Sequence, residues 1–310
     1  MGQFLVRRLL LLIPVMLGVV TLVFLLIHFI PGDPVDLMLG DSALATDKEA
    51  LSRQLGLDQP IHLQYWNYMT QLAQGNLGVS IHSKRPVLEE ILERLPATVE
   101  LMGGAMVVTL FIALPLGLIS AVNRGKGVDH LAMFFSLLGV SIPNFWLGPV
   151  LILIFSIQLD WLPVNERGTF LHLILPAITL GTSLAAILSR ITRSSVLETL
   201  SKDYIRTARA KGISEMRILF QHALRNASIP IVTVIGLQVG ILLSGAIITE
   251  RIFDWPGVGS LLIDAIQTRN YPLVQGCVIF IACSYVLINL LTDISYTFLD
   301  PRASCNDTSR

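Results

Sequence analysis

Residues 97–122 read ATVELMGGAMVVTLFIALPLGLISAV, a run with one carboxylate, Glu100 near its start, and no basic residue. A helix of roughly 20 apolar residues crosses a hydrocarbon core of about 30 Å, so this run spans a membrane with Glu100 at the interface. Working outward, the segments 9–30, 131–157, 172–189, 229–249 and 277–299 qualify as well. The 172–189 segment is the least apolar, and its Ala, Ser, Thr and Gly content suits close helix packing more than lipid contact. The expectation is an all-α membrane protein with six transmembrane helices. The first run resembles a signal peptide in having Arg7 and Arg8 before an apolar stretch. Its length and the lack of a following A-x-A site mark it as a retained span.

Composition agrees. The 310 residues are 53% hydrophobic and 14% charged, with a mean hydropathy of +0.68, against about 25% charge in soluble domains. Formal net charge is zero, which gives no case for a nucleic-acid partner. Cys277, Cys283 and Cys305 form no CxxC pair, so neither a disulfide framework nor a metal cluster is expected.

Basic residues set the orientation. With the N-terminus inside, segments 1–8, 123–130, 190–228 and 300–310 hold 14 Lys and Arg in 66 residues. The outside loops 158–171 and 250–276 hold 3 in 41. This asymmetry predicts both termini in the cytoplasm. The remaining outside segment, 31–96, is too long for the rule to count. It carries helical signals of its own: Thr46 and Glu49 at capping-box spacing, a stop at Gly56, and Ile61, Tyr65, Tyr68, Met69 and Leu72 at helical periodicity up to Gly75. A third helix is expected from Pro86 (Val87, Leu88, Ile91, Leu92, Leu95), lying in the membrane interface. A docking surface for an external partner and a simple packing cap both fit this segment.

The inner segment 190–228, RITRSSVLETLSKDYIRTARAKGISEMRILFQHALRNAS, is long, basic and helical in pattern. Ser201 is read as the cap of a helix through Lys211, Gly212 as its stop, and Ser214 as the cap of the next helix, with Ile218, Leu219 and Ala223 on one face. The result is an elbow near Ala210–Ser214. A basic amphipathic loop could also lie flat on anionic lipid, but a surface-lying helix gains nothing from the break at Gly212.

The stretch DYIRTARAKGISE (203–215), followed by HALRNASIP (222–230), resembles the coupling loop of ABC-importer permeases of the dipeptide/oligopeptide/nickel class. The general importer motif has Glu-Ala-Ala and Ile-x-Leu-Pro elements. Here Arg206-Thr207-Ala208 and His222-Ala223-Leu224-Arg225 stand in their places, departures typical of the peptide/nickel class. RRLLLLIPV, HFIPGDP, LGLDQP, RLPATVEL, SIPNFWLG, ERIFDWPGVG and RNYPLVQG resemble the same class, in its order and over nearly the whole chain. The resemblance implies a type I ABC-importer permease fold in a bacterial inner membrane. It implies a second homologous permease chain, one or two cytoplasmic ATP-binding subunits, and a periplasmic or lipoprotein substrate-binding protein. It places coupling at Ala208, Ala210, Lys211, Gly212, Ile213, Ser214 and Glu215, and a re-entrant feature in 250–276. Peptide is the first expected substrate; nickel, a nickel chelate or glutathione is the alternative.

Catalytic signatures are missing. There is no GxxxxGK[ST] phosphate loop, and Gly125-Lys126-Gly127 lacks the spacing and the hydroxyl; HExxH and GxSxG are absent too. No cofactor is expected in this chain, ATP being bound by partner subunits. A membrane-embedded enzyme would need a paired nucleophile and base at membrane depth. A secondary transporter would need two similar inverted halves, and the halves here differ. Polar residues inside spans are costly and become candidates for a translocation path: Asn144, Gln238, Ser244, Glu250, Asn289 and Asp293. Interhelical hydrogen bonding, or for Asp293 pairing with a basic group, is the competing reading. The expected organisation is a first span with an outer helical segment (1–96), a permease core (97–300) and a polar tail (301–310).

Overall fold

The computed structural model describes residues 2–29, 35, 44–56, 58–164 and 167–299. Among the described residues the chain is helical, with one isolated β-bridge between Val79 and Pro86. Helix α1 (Gly2–Phe29) is followed by α2 (Ala45–Leu55) and α3 (Ile61–Ala73). Phe24 of α1 packs on Tyr65 and Tyr68 of α3, with ring centroids 5.2 and 5.6 Å away. The Thr21 and Tyr65 hydroxyls share a 2.8 Å hydrogen bond.

The bundle is built on α4 (Val87–Val122) and α7 (Phe170–Leu200). These two approach closely because small residues line their seam. Ala97, Ala105, Ala177 and Leu180 share one buried cluster, and the Thr109 hydroxyl lies 3.1 Å from the Gly181 carbonyl. Of the apolar window of α7, 61% is buried, against 33% in the other full-length spans. This is what the small-residue composition of 172–189 predicts. Between α4 and α7 lie α5 (Gly127–Ser141) and α6 (Asn144–Leu151), the latter continued by a π-helical turn over Ile152–Gln158. The two halves meet at 99°. Pro143 has no N–H to donate, and Ile142 before it is held extended at φ −88°, ψ 116°, so the helix breaks at this dipeptide.

Beyond α7 come α8 (Asp203–Ala210), α9 (Glu215–Arg217), a π-helical turn over Ile218–Ala223 and α10 (Leu224–Ile252). A short apolar helix, α11 (Val258–Gln267), precedes α12 (Tyr271–Leu299). Among the described residues four helices are long and apolar enough to cross a membrane, and the count is five if the bent pair α5/α6 forms one span. In α1 the apolar stretch Leu10–Leu25 is shorter.

Three local expectations are corrected. The helix expected in the interface from Pro86 is the first part of α4 itself, which runs unbroken through Pro96. Part of its apolar surface packs inside the protein, Val87 and Ile91 being fully buried against Val258, Leu261, Val274 and Cys277, while Leu88 and Leu92 stay exposed. Thr46 lies inside α2, whose N-cap is Leu44 with no side-chain bond; the stop at Gly56 is as expected. Ser201 ends α7 instead of starting α8, its hydroxyl bonding back to the Glu198 carbonyl at 2.7 Å. The protruding part of the 190–228 segment therefore starts near residue 201. The 301–310 tail and Cys305 lie outside the described residues.

Candidate coupling surface

The elbow is folded around an apolar centre of its own. Ile205, Ala208 and Ile218 are buried together, with Leu200 and Ile213 packed against them. Gly212 turns the chain at φ +75°, a conformation open to glycine at little cost. Its amide donates to the Arg209 carbonyl at 2.9 Å, and the Ile213 amide to that of Ala208 at 3.3 Å. The Arg209 guanidinium spans the turn to Glu215, donating from Nε and Nη2 at 2.8 and 3.1 Å. The Glu215 carboxylate hydrogen-bonded to it pushes the Arg209 guanidinium further up from its ordinary range. Ser214 holds the N-cap position of α9 at ψ 144°, without a side-chain bond.

Of the residues expected to couple, Ala210, Lys211, Gly212, Ser214 and Glu215 form an exposed rim. Ala208 and Ile213 are turned inward, so they hold the elbow's shape from beneath. The sequence reading missed Met216 and Phe220, 66% and 50% exposed. Four residues apart, they fall on one helical face. The signal was present in EMRILFQ, which carries two apolar stripes: the buried one takes Ile218 and Leu219, leaving the other outside. Tyr204 lies beside the elbow's base, its hydroxyl accepting from Asn226 Nδ2 at 3.0 Å.

A second constellation escaped the sequence reading. Asp129, in the first turn of α5, is buried and accepts from Arg193 of α7 through Nε and Nη2 at 2.8 and 2.7 Å. Ser120 of α4 and the Gly125 amide also donate to it. This pair ties α4, α5 and α7 together close to the elbow. Arg193 read as one more loop cation because the loop was taken to start at residue 190.

The candidate path residues whose side chains are described occupy separate places in the bundle. Gln238 is buried and donates to the Leu184 carbonyl of α7 at 2.9 Å, an interhelical bond. Glu250 is enclosed at the far end of α10. It accepts from the Thr98 hydroxyl at 2.7 Å and the Ser260 amide at 2.9 Å, so it closes a junction instead of facing an open path. Trp255 completes that junction: its side chain is buried and its Nε1 donates to the Ala97 carbonyl at 2.7 Å. Gly257 lies so close that a Cβ there would overlap the Glu250 carboxylate. Asn144 is half-buried at the start of α6, and Asn289 is half-buried on α12 where it faces Gly240 of α10. The side chains of Ser244 and Asp293 lie outside the described residues. Among the described residues, no group of His, Cys, Asp and Glu is placed to hold a metal ion.

The described residues thus form a helical bundle with a folded elbow at one end. Residues 113–304 match the binding-protein-dependent transport system inner membrane component family, and residues 1–102 match the N-terminal region of such membrane components. The chain is 47% identical to the di/tripeptide transport system permease protein DppB of Pseudomonas aeruginosa. It is 45% identical to the dipeptide transport system permease protein DppB of Escherichia coli, and 44% identical to the glutathione transport system permease protein GsiC of Salmonella typhimurium. Each alignment covers 97% of this chain and 98% of the relative. In fold, the chain is similar to the MetNI methionine ABC transporter in an inward-facing conformation, with a TM-score of 0.56, 16% identity, and coverage of 68% of this chain and 96% of that one.

The chain belongs to the binding-protein-dependent transport system inner membrane components. It is the multi-pass membrane subunit of an ABC importer and not an enzyme, and its family implies a separate ATPase and a binding protein as partners.

Proposed function

We propose that this chain forms half of a translocation channel for small peptides, paired with a second homologous permease chain. A binding protein delivers the peptide outside, and one or two ATPases drive the cycle inside. The peptide assignment is supported by relatives whose names specify dipeptides, di/tripeptides and glutathione. In this reading the chain has six spans with both termini in the cytoplasm, α1 supplying the first. Residues 1–96 are the first span with its outer segment, 97–300 the permease core, and 301–310 a polar tail. Asn144, Ser244, Asn289 and Asp293 remain path candidates, as does Gln238, whose Oε1 is buried without a partner, while Glu250 is held by Thr98 and Ser260.

The observation that carries the coupling role is the exposed apolar pair Met216 and Phe220 beside the Lys211–Glu215 rim. ATP binding closes the ATPase dimer, the elbow moves with it, and the spans change from inward- to outward-open. The ATPase must bind the two states with different free energies, since equal affinity shifts nothing. Gly212→Pro tests this, because proline cannot adopt the positive φ at this turn. The expected result is ATP hydrolysis that persists without uptake. Transport by this chain alone in liposomes would sink the reading. Uptake of labelled dipeptide, glutathione and nickel by the reconstituted complex separates the substrates, with dipeptide expected to be preferred.

A further inference from the structure

We infer that a groove between α5 and α7, beside the elbow, binds an anionic phospholipid of the inner leaflet. The groove has a volume of about 400 Å³ and is lined by Met133, Ile187, Arg190, Ile191, Arg193 and Ser194. The two helices run antiparallel along it. Asp129 meets Arg193 at one level, and Ser136 meets the Ala186 carbonyl and the Ser189 hydroxyl deeper in. Along α7, Ile187 and Ser194 lie roughly 10 Å apart at about 1.5 Å per residue. With the apolar span expected to end near residue 189, a groove of this length reaches from the acyl-chain region to the headgroups. Its deep end is apolar at Ile187, and Met133 on the facing helix lies about level with Arg190. Its shallow end carries two guanidinium groups and a serine hydroxyl.

The charges at the shallow end are unequal. Arg193 is satisfied through Nε and Nη2 by Asp129 and is fixed in place. Arg190 is exposed, and among the described residues no carboxylate pairs with it. The nearby α4–α5 turn adds exposed Arg124 and Lys126. A cation at the edge of the hydrocarbon that lacks a protein counter-ion is offset most readily by a lipid phosphate, and basic pockets between spans on the cytoplasmic side take anionic headgroups. The apolar floor argues for a lipid over a free anion, which would leave Met133, Ile187 and Ile191 unused. The assignment to the inner leaflet rests on the N-in orientation proposed above. Lipid binding and orientation fail separately, since retention is measured without reference to sidedness.

The test is native mass spectrometry of the full transporter complex after exchange into detergent containing equal phosphatidylglycerol and phosphatidylcholine. Phosphatidylglycerol should be retained preferentially, and Arg190→Gln should lower its retention about five-fold, the worth of one basic side chain at an anionic surface. Ser194→Asp, which puts a carboxylate beside Arg190, should lower it comparably while leaving Arg190 in place. Equal retention of the two lipids, undiminished retention in both variants, or displacement by inorganic phosphate overturns the proposal. So does an Arg190→Gln complex that loses its ATPase while keeping the lipid, because that assigns the arginine to protein docking.

Discussion

At the scale of single residues, the Asp129–Arg193 pair does the most to fix the elbow end of the bundle. The Asp129 side chain is 4% exposed and that of Arg193 27%. Removing the arginine leaves a buried carboxylate with only the Ser120 hydroxyl and the Gly125 amide as donors, whereas removing the aspartate leaves a guanidinium that water partly solvates. Arg193→Ala is therefore expected to destabilise the chain by about 1–3 kcal/mol, the cost of a buried polar group losing a partner, and Asp129→Ala by less. The double variant should fall short of the summed losses. Thermal unfolding of the purified complex checks all three, and equal losses for the two single variants would refute the asymmetry. This pair was hidden in the sequence because its partners are 64 positions apart. Neither periodicity nor charge counting connects Asp129 to Arg193. The surroundings of Glu250 were hidden for a related reason. A carboxylate at the end of a span gives no sign that Thr98, from another helix, reaches it.

At the scale of elements, the elbow separates what was legible from what was not. Gly212 as a stop and Ile218, Leu219 and Ala223 as a buried face follow from local chemistry, and the structure has both. The helix starts were less legible. Ser201 carries the same hydroxyl whether it opens α8 or closes α7, and only the continuation of α7 through Leu200 decides between them. The helix expected from Pro86 and the span expected over 97–122 likewise turn out to be one helix. A proline marks a possible end of a helix, and tertiary packing of Val87 and Ile91 carried α4 past Pro96. The exposed pair Met216 and Phe220 yields a prediction that belongs to this element. Anchor residues in a protein interface are worth about 2 kcal/mol or more each. Met216→Glu or Phe220→Glu should thus weaken ATPase co-purification at least ten-fold, with Ile218 and the elbow fold intact by protease resistance. Full ATPase recovery with either variant would show that the pair faces something else.

At the scale of the whole molecule, the six-span, N-in arrangement makes a direct prediction. Ser214→Cys should react with an impermeant maleimide only from the cytoplasmic face, and labelling of intact cells would reverse the orientation. The number of spans was less legible than the presence of spans, because the third is bent by 99° and hydropathy does not register direction. The junction of Glu250, Thr98 and Trp255 has a mechanical consequence. The arm from Glu215 to Ile252 measures roughly 55 Å along its axis at about 1.5 Å per residue. At its far tip it is pinned to the neighbouring helices by the Thr98–Glu250 bond and the Trp255 indole. Such an arm behaves as a lever with a fixed fulcrum. One helical turn of travel at the elbow, about 5.4 Å, tilts it by only about 5°, and the displacement dwindles steadily toward the pinned tip. A small rotation of this kind carries motion into the bundle while the pinned end stays shut.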